Sequence, residues 1–169
     1  FSTYLYNYEV TETTKKVIAL KGLDVGKTEG ITAIEYKNTT ATPQEVVIRT
    51  NSFDTTLTIN DSSTQGKIYH YDNLGKLIIT NCAMESYHEM GIVGYAELQK
   101  GHLAVEENAS INLLFANSQD LAKFKITNNG TITNAQASSD TVKESNTISR
   151  VVFNRESVHL PASMGLLEM

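Results

Sequence analysis

The stretch 91-GIVGYAELQKGHLAVEENASINLLFAN-117 holds three short apolar runs, Gly91–Leu98, Gly101–Glu107 and Ser110–Asn117. Each opens on a small residue. In the middle run Leu103 and Val105 alternate with His102, Ala104 and Glu106; in the last, Ile111, Leu113 and Phe115 alternate with Asn112 and Leu114. This is the period of two expected of a strand with one side turned to a core. No window of about 11–18 residues anywhere in the chain repeats apolar residues at i, i+3, i+4 and i+7, so helices are not expected as major elements.

The same kind of run recurs on both sides: EVVIRT, TTLTIN, KIYHYD, KLIIT, AKFKIT, GTITNA, ISRVVFN and SVHLPA, most of them bounded by Gly, Asn, Asp or Ser. Run centres near Ile48, Leu57, Tyr69, Ile78, Tyr95, Leu103, Leu113, Phe124 and Ile132 lie 8 to 12 residues apart, with one step of 17. The long step contains CAMESYHEM, Cys82 to Met90, which is expected to leave the regular structure as a loop or short helix. Spacing of this kind suits a β-sandwich or a β-solenoid. Three features favour the solenoid. Asn129-Gly130 is the only Asn-Gly, and there is no Asp-Gly, so hairpin turns are scarce. Gly75, Gly91, Gly101, Ser110 and Gly130 each open a strand, as at a tight corner stacked on the next coil. Large aliphatic residues alternate inward in twos and threes. The expected fold is therefore all-β, a parallel β-helix or β-solenoid, with an antiparallel β-sandwich as the alternative. Leu103, Ile111 and Leu113 are expected to form one continuous interior column.

The 169 residues suit one domain spanning 1–169, large enough to fold without disulfides. Cys82 is the only cysteine, so no internal disulfide can form. The net charge of −5, with Lys and Arg scattered singly, argues against a nucleic-acid partner. No run of about 20 apolar residues is present, so no membrane span is expected. The 20 Thr, 14 Asn and 13 Ser beside two Pro and no Trp are typical of extracellular β-proteins. Beginning at Phe1 within FSTYLYNYEV, the chain reads as a piece of a longer surface protein. Asn-x-Ser/Thr triplets at Asn38, Asn60, Asn108 and Asn129 are close to what chance gives for this composition and carry no argument for glycosylation.

Residues 55 to 115 carry a further pattern, YHY followed by SYHE and GHLAVEENA, in Tyr69, His70, Tyr71, Gly75, Ser86, Tyr87, His88, Glu89, Gly91 and Gly101. It resembles a module of large surface proteins of gut bacteria that look like pectin-lyase-like parallel β-helices. Asp72 stands where that pattern has glycine. The resemblance implies fold and a cell-surface, extracellular location, and no chemistry.

Candidate sites are few. His70, His88, His102 and His159 have no His-x-His, His-x3-His or Cys-x2-Cys spacing, so no metal site and no cofactor is expected, and the histidines read as surface or boundary residues. His88 and Glu89 point opposite ways on a strand. Cys82 and His88 are not spaced as a nucleophile–base pair on one helical face, and a lone cysteine suits a small buried hydrophobe. Paired carboxylates for glycoside chemistry would come from Asp54, Asp61, Asp72, Glu85 and Glu89, but three of these read as turn residues. The tyrosines are left. Tyr69, Tyr71, Tyr87 and Tyr95, with His88, are the candidate ligand-binding residues, an aromatic ladder for a glycan or for a host or bacterial surface protein; the competing reading is half-buried packing. The expected function is a non-catalytic extracellular module, a stalk or adhesin-like binder. The alternative is a carbohydrate-active enzyme, a polysaccharide lyase or glycosidase of β-helix type.

Overall fold

The computed structural model describes residues 33–154 and the backbone of two earlier strands, 5–10 and 16–20. The SVHLPA run and His159 lie outside the described residues.

Among the described residues, twelve strands are wound into one parallel β-solenoid of about six turns. They are β1 (Leu5–Val10), β2 (Lys16–Leu20), β3 (Ala33–Asn38), β4 (Gln44–Asp61), β5 (Lys67–Asn81), β6 (Tyr87–Glu89), β7 (Ile92–Leu98), β8 (Gly101–Val105), β9 (Ser110–Ala116), β10 (Phe124–Asn128), β11 (Thr131–Ala137) and β12 (Ile148–Ser149). A short helix, α1 (Asp140–Lys143), follows β11. Every pairing among the described strands is parallel. An antiparallel sandwich is thereby excluded.

Three walls enclose the interior, and each inward residue stacks on its counterpart one coil away. On the first wall Val46, Ile68, Tyr87, Leu103 and Ile126 form one column, and Ile48, His70, Glu89, Val105 and Asn128 the next. On the second wall Leu74, Val93 and Ile111 align. On the third, Ile34, Leu57, Leu77, Ala96, Leu114 and Ala135 stack beside Tyr36, Ile59, Ile79, Leu98, Ala116 and Ala137. The aliphatic members are buried, and each large one contributes roughly 1.5–3 kcal/mol by leaving water.

The corners explain the glycines. A Cβ added to Gly75 would overlap the Phe53 backbone, one on Gly91 the Asp72 backbone, one on Gly101 that of Cys82, and one on Gly130 that of Ala109. Each glycine thus lets one coil settle on the coil before it. Asp72 has φ of 76°, a left-handed conformation that glycine adopts without cost and aspartate tolerates.

Two expectations need correction. Cys82–Met90 is not an excursion from the coil. A tight turn at Ala83–Ser86 leads straight into β6, which pairs with β5 and β8 and buries Tyr87 and Glu89. The rung was hidden because its inward residues are not aliphatic. Leu103, Ile111 and Leu113 do not share a column. The inward–outward alternation breaks across Asn112 and Leu113, so Leu114 follows Ile111 inward, while Leu113 is buried in the outer column of Lys76 and Tyr95.

Candidate functional site

Because Ile68 and His70 point inward, Tyr69 and Tyr71 point outward from β5, as alternation requires. The outer side of the first wall is then a grid. Val47, Tyr69, His88, Ala104 and Thr127 form its central column, and Arg49 and Tyr71 stand beside it. The Tyr69 and His88 rings stack with centroids 4.9 Å apart and planes 15° from parallel. Arg49 lies over the Tyr71 ring, 4.5 Å from its centroid, and reaches Asp72 at 3.3 Å. Both tyrosines are half-buried. Their stacking runs along the solenoid axis, so outward they offer ring edges and hydroxyls more than ring faces.

Below this row the chemistry becomes polar. His88 Nδ1 meets Glu106 Oε2 at 2.7 Å, and Lys125 Nζ donates to Glu85 Oε2 at 2.6 Å. That hydrogen bond and the lysine charge hold Glu85 below the usual carboxylate range. His102 Nε2 lies 3.0 Å from Thr127 Oγ1. Burial lowers the His102 ring to about 4; Glu85 and Glu106 oppose that shift, while Lys125 and His88 reinforce it. His88 Nε2 and His102 Nδ1 are buried without hydrogen-bond partners.

The remaining candidates separate. Tyr95 stands on the third wall, away from this row. Lys76 lies over its ring at 5.4 Å, its hydroxyl donates to Glu97 Oε1 at 3.2 Å, and burial raises its hydroxyl above the ordinary tyrosine range. Tyr87 is inside the solenoid with no exposed surface, so it cannot present an edge or a face to a ligand. Its hydroxyl donates to Glu89 Oε1 at 2.7 Å. The five candidates therefore reduce, as an outward group, to Tyr69, Tyr71 and His88.

The interior holds what the sequence reading missed. His70, read as a surface or boundary histidine, is wholly buried. Its Nδ1 meets Glu89 Oε2 at 2.6 Å and its Nε2 meets Thr50 Oγ1 at 2.7 Å. The Thr50 hydroxyl donates in turn to the Asn73 carbonyl at 2.5 Å. Glu89 Oε2 also accepts from the Gly91 N–H at 2.9 Å. Thr50, His70 and Glu89 line up as hydroxyl, imidazole and carboxylate, but the Thr50 hydroxyl gives its proton to the Asn73 carbonyl and not to the ring, and with no exposed surface the three cannot meet a substrate. A His and a Glu 19 residues apart could be paired only by knowing the coil register.

Among the described residues no three His, Cys, Asp or Glu side chains come together as a metal cage, and no helix is long and apolar enough to cross a membrane. No known family model, curated protein or solved structure matches the chain.

Proposed function

We propose that this domain is a non-catalytic module of an extracellular, cell-surface protein, a stalk that also binds a glycan or a protein through the outer side of its first wall. The observation that carries the reading is the Tyr69–His88 stack beside the Arg49–Tyr71 pair. The half-buried Tyr69 and Tyr71 hydroxyls and the exposed Arg49 guanidinium offer donors to a polyol or peptide, the tyrosines at low cost in side-chain entropy, with the His88 ring stacked on Tyr69. The resemblance of the YHY and SYHE segments to a pattern of gut-bacterial surface proteins, and the Thr- and Asn-rich composition, support that setting.

Binding to an array of neutral glycans and to candidate surface proteins tests it. Changing Tyr69 and Tyr71 together to Ala is expected to abolish binding while the melting temperature falls only slightly. Binding of a neutral glycan is expected to change little between low and high salt. Binding that survives the double change would move the site elsewhere on the surface.

A second reading, a carbohydrate-active enzyme, draws on the His88–Glu106 pair, an imidazole and a carboxylate in contact at a partly exposed position of the outer wall. Incubation with polysaccharides and an assay for reducing ends or unsaturated products decides it. Product formation lost on Glu106→Gln would favour the enzyme.

A further inference from the structure

Two successive coils turn the same corner with different chemistry. Asn38 and Asp61 are partners in register at the ends of the β3 and β4 segments, and from each the chain takes five residues to reach the next strand, β4 at Gln44 or β5 at Lys67. In both turns the first side-chain oxygen accepts the N–H two residues on: Asn38 Oδ1 from Thr40 at 3.0 Å, Asp61 Oδ1 from Ser63 at 2.9 Å. The second atom differs. Asn38 Nδ2 donates to the Thr42 carbonyl at 2.9 Å and closes the turn. In Asp61 that atom is an oxygen, and it has nothing to donate.

Asp61 is 1% exposed and Ser63 4%, and neither Asp61 Oδ2 nor Ser63 Oγ makes a hydrogen bond of full geometry. A Cβ built on Gly66 would lie 2.7 Å from Asp61 Oδ2, 3.0 Å from Ser63 Oγ and 3.5 Å from the Gln44 carbonyl oxygen. Three oxygens therefore converge beside a residue that has no side chain. Among the described residues no Lys, Arg or His forms an ion pair with Asp61. Cys82, whose thiol feels the Asp61 charge, is held protonated by burial. Burial raises the Asp61 carboxyl above its ordinary range, against the Ser63 N–H and the Ser63 and Asn38 side chains, which favour its charge; the charged form is therefore costly unless positive charge reaches it.

We propose that the Asp61 corner binds a hard divalent cation of the calcium class, held by Asp61 Oδ2, Ser63 Oγ and the Gln44 carbonyl oxygen, with water completing the shell. All three ligands are oxygens, as such a cation requires, and a single carboxylate with neutral oxygens matches the weak sites of extracellular modules, with Kd about 10⁻⁴–10⁻³ M. The exposed turn residues Ser62, Thr64 and Gln65 leave the corner just beneath solvent. The cation would do for the second corner what the Asn38 amide does for the first. Sequence spacing could not reveal the site, because only one of its ligands is a recognisable metal-binding side chain.

Thermal unfolding of the full chain at pH 7.5, in EDTA and in 10 mM CaCl2, tests the proposal. The wild-type melting temperature is expected to rise by about 3 °C in calcium. Asp61→Asn is expected to remove the rise and to melt in EDTA no lower than wild type, because its amide can repeat the Asn38 arrangement. Equal melting of wild type in EDTA and calcium overturns the proposal, and so does a calcium shift that persists in Asp61→Asn. Calorimetric titration of CaCl2 into wild type is independent of how that variant folds. One ion per chain, bound several-fold more weakly by Ser63→Ala, supports the site; no binding, or binding unchanged by Ser63→Ala, overturns it. Stabilisation by mild acid with no response to calcium would mean that a proton, not a metal, satisfies Asp61.

Discussion

The His70 imidazole and the Glu89 carboxylate meet at 2.6 Å inside the solenoid, on consecutive coils and with no exposed surface on either. They stand in an interior column between Ile48 and Val105, where aliphatic residues would be expected. The Tyr87 hydroxyl and the Gly91 N–H complete the carboxylate's partners, and Thr50 takes the far ring nitrogen. A one-coil slip would set each of these groups against an apolar neighbour, so the pair specifies register more than it adds stability.

Removing one partner should therefore cost more than removing both. Glu89→Leu alone is expected to destabilise the fold by about 3–5 kcal/mol, since it leaves the imidazole and the Tyr87 hydroxyl buried without their acceptor. His70→Leu with Glu89→Leu is expected to be less damaging than either change by itself. Urea unfolding of the four members of the cycle measures the coupling; simple additivity would mean that the pair does not act as a unit.

The corner glycines should rank by what their Cβ would meet. Gly91→Ala pushes into the Asp72 backbone, which cannot move without displacing β5, and is expected to cost about 1–3 kcal/mol or more. At Gly94 the nearest atom is the Gly75 carbonyl oxygen at 2.9 Å, so Gly94→Ala should cost less. Melting temperatures in the opposite order would contradict the stacking of coils at these corners.

His102 should give the fold a pH dependence of defined sign. Its folded value of about 4 lies below the ordinary histidine value of 6.5, so between these values the unfolded chain binds more protons than the folded one. The group's contribution is complete above 6.5 and is lost as pH falls toward 4. An NMR titration of the ring should show a midpoint near 4. A midpoint near 6.5 would mean that the ring is solvated and contributes no such slope.

Cys82 should be inert while the fold is intact. Burial pushes its thiol up to about 11, and the thiol contacts the His102 carbonyl oxygen at 3.5 Å. Alkylating reagents at pH 8 are expected to label it only at the rate of unfolding, because the thiolate is the reactive species. Labelling as fast in buffer as in urea would place the thiol at the surface.

What the sequence disclosed depends on whether a position obeys a period. Gly75, Gly91, Gly101 and Gly130 marked corners because only glycine fits there, and Leu103 with Val105 marked a strand because both are aliphatic. The β6 rung broke the count because Tyr87 and Glu89 occupy its inward positions. Leu113 does not follow Ile111 inward because the alternation breaks across Asn112 and Leu113, and nothing in the local composition announces it. Tyr69 and Tyr71 could be placed on one side of a strand from alternation alone. Their stacking on His88 and Arg49 needed the coil-to-coil register, as did His70 with Glu89 and Asn38 with Asp61.

The parallel ladder also makes the length of this molecule a quantised property. Asn73 lies beside Ile92 and Leu74 beside Val93, so excising residues 73–91 would join Asp72 to Ile92 and leave the chain running along the same columns, with Val93 in the place of Leu74 and Ala96 in that of Leu77. Any loss or gain short of a full coil would rotate interior side chains outward, unless a corner absorbed it as the irregularities at Ser52/Thr56 and Ile59/Asn60 do. Duplication or deletion of entire coils is thus the inexpensive way for such a rod to change its reach while keeping its cross-section and its outer grid of side chains.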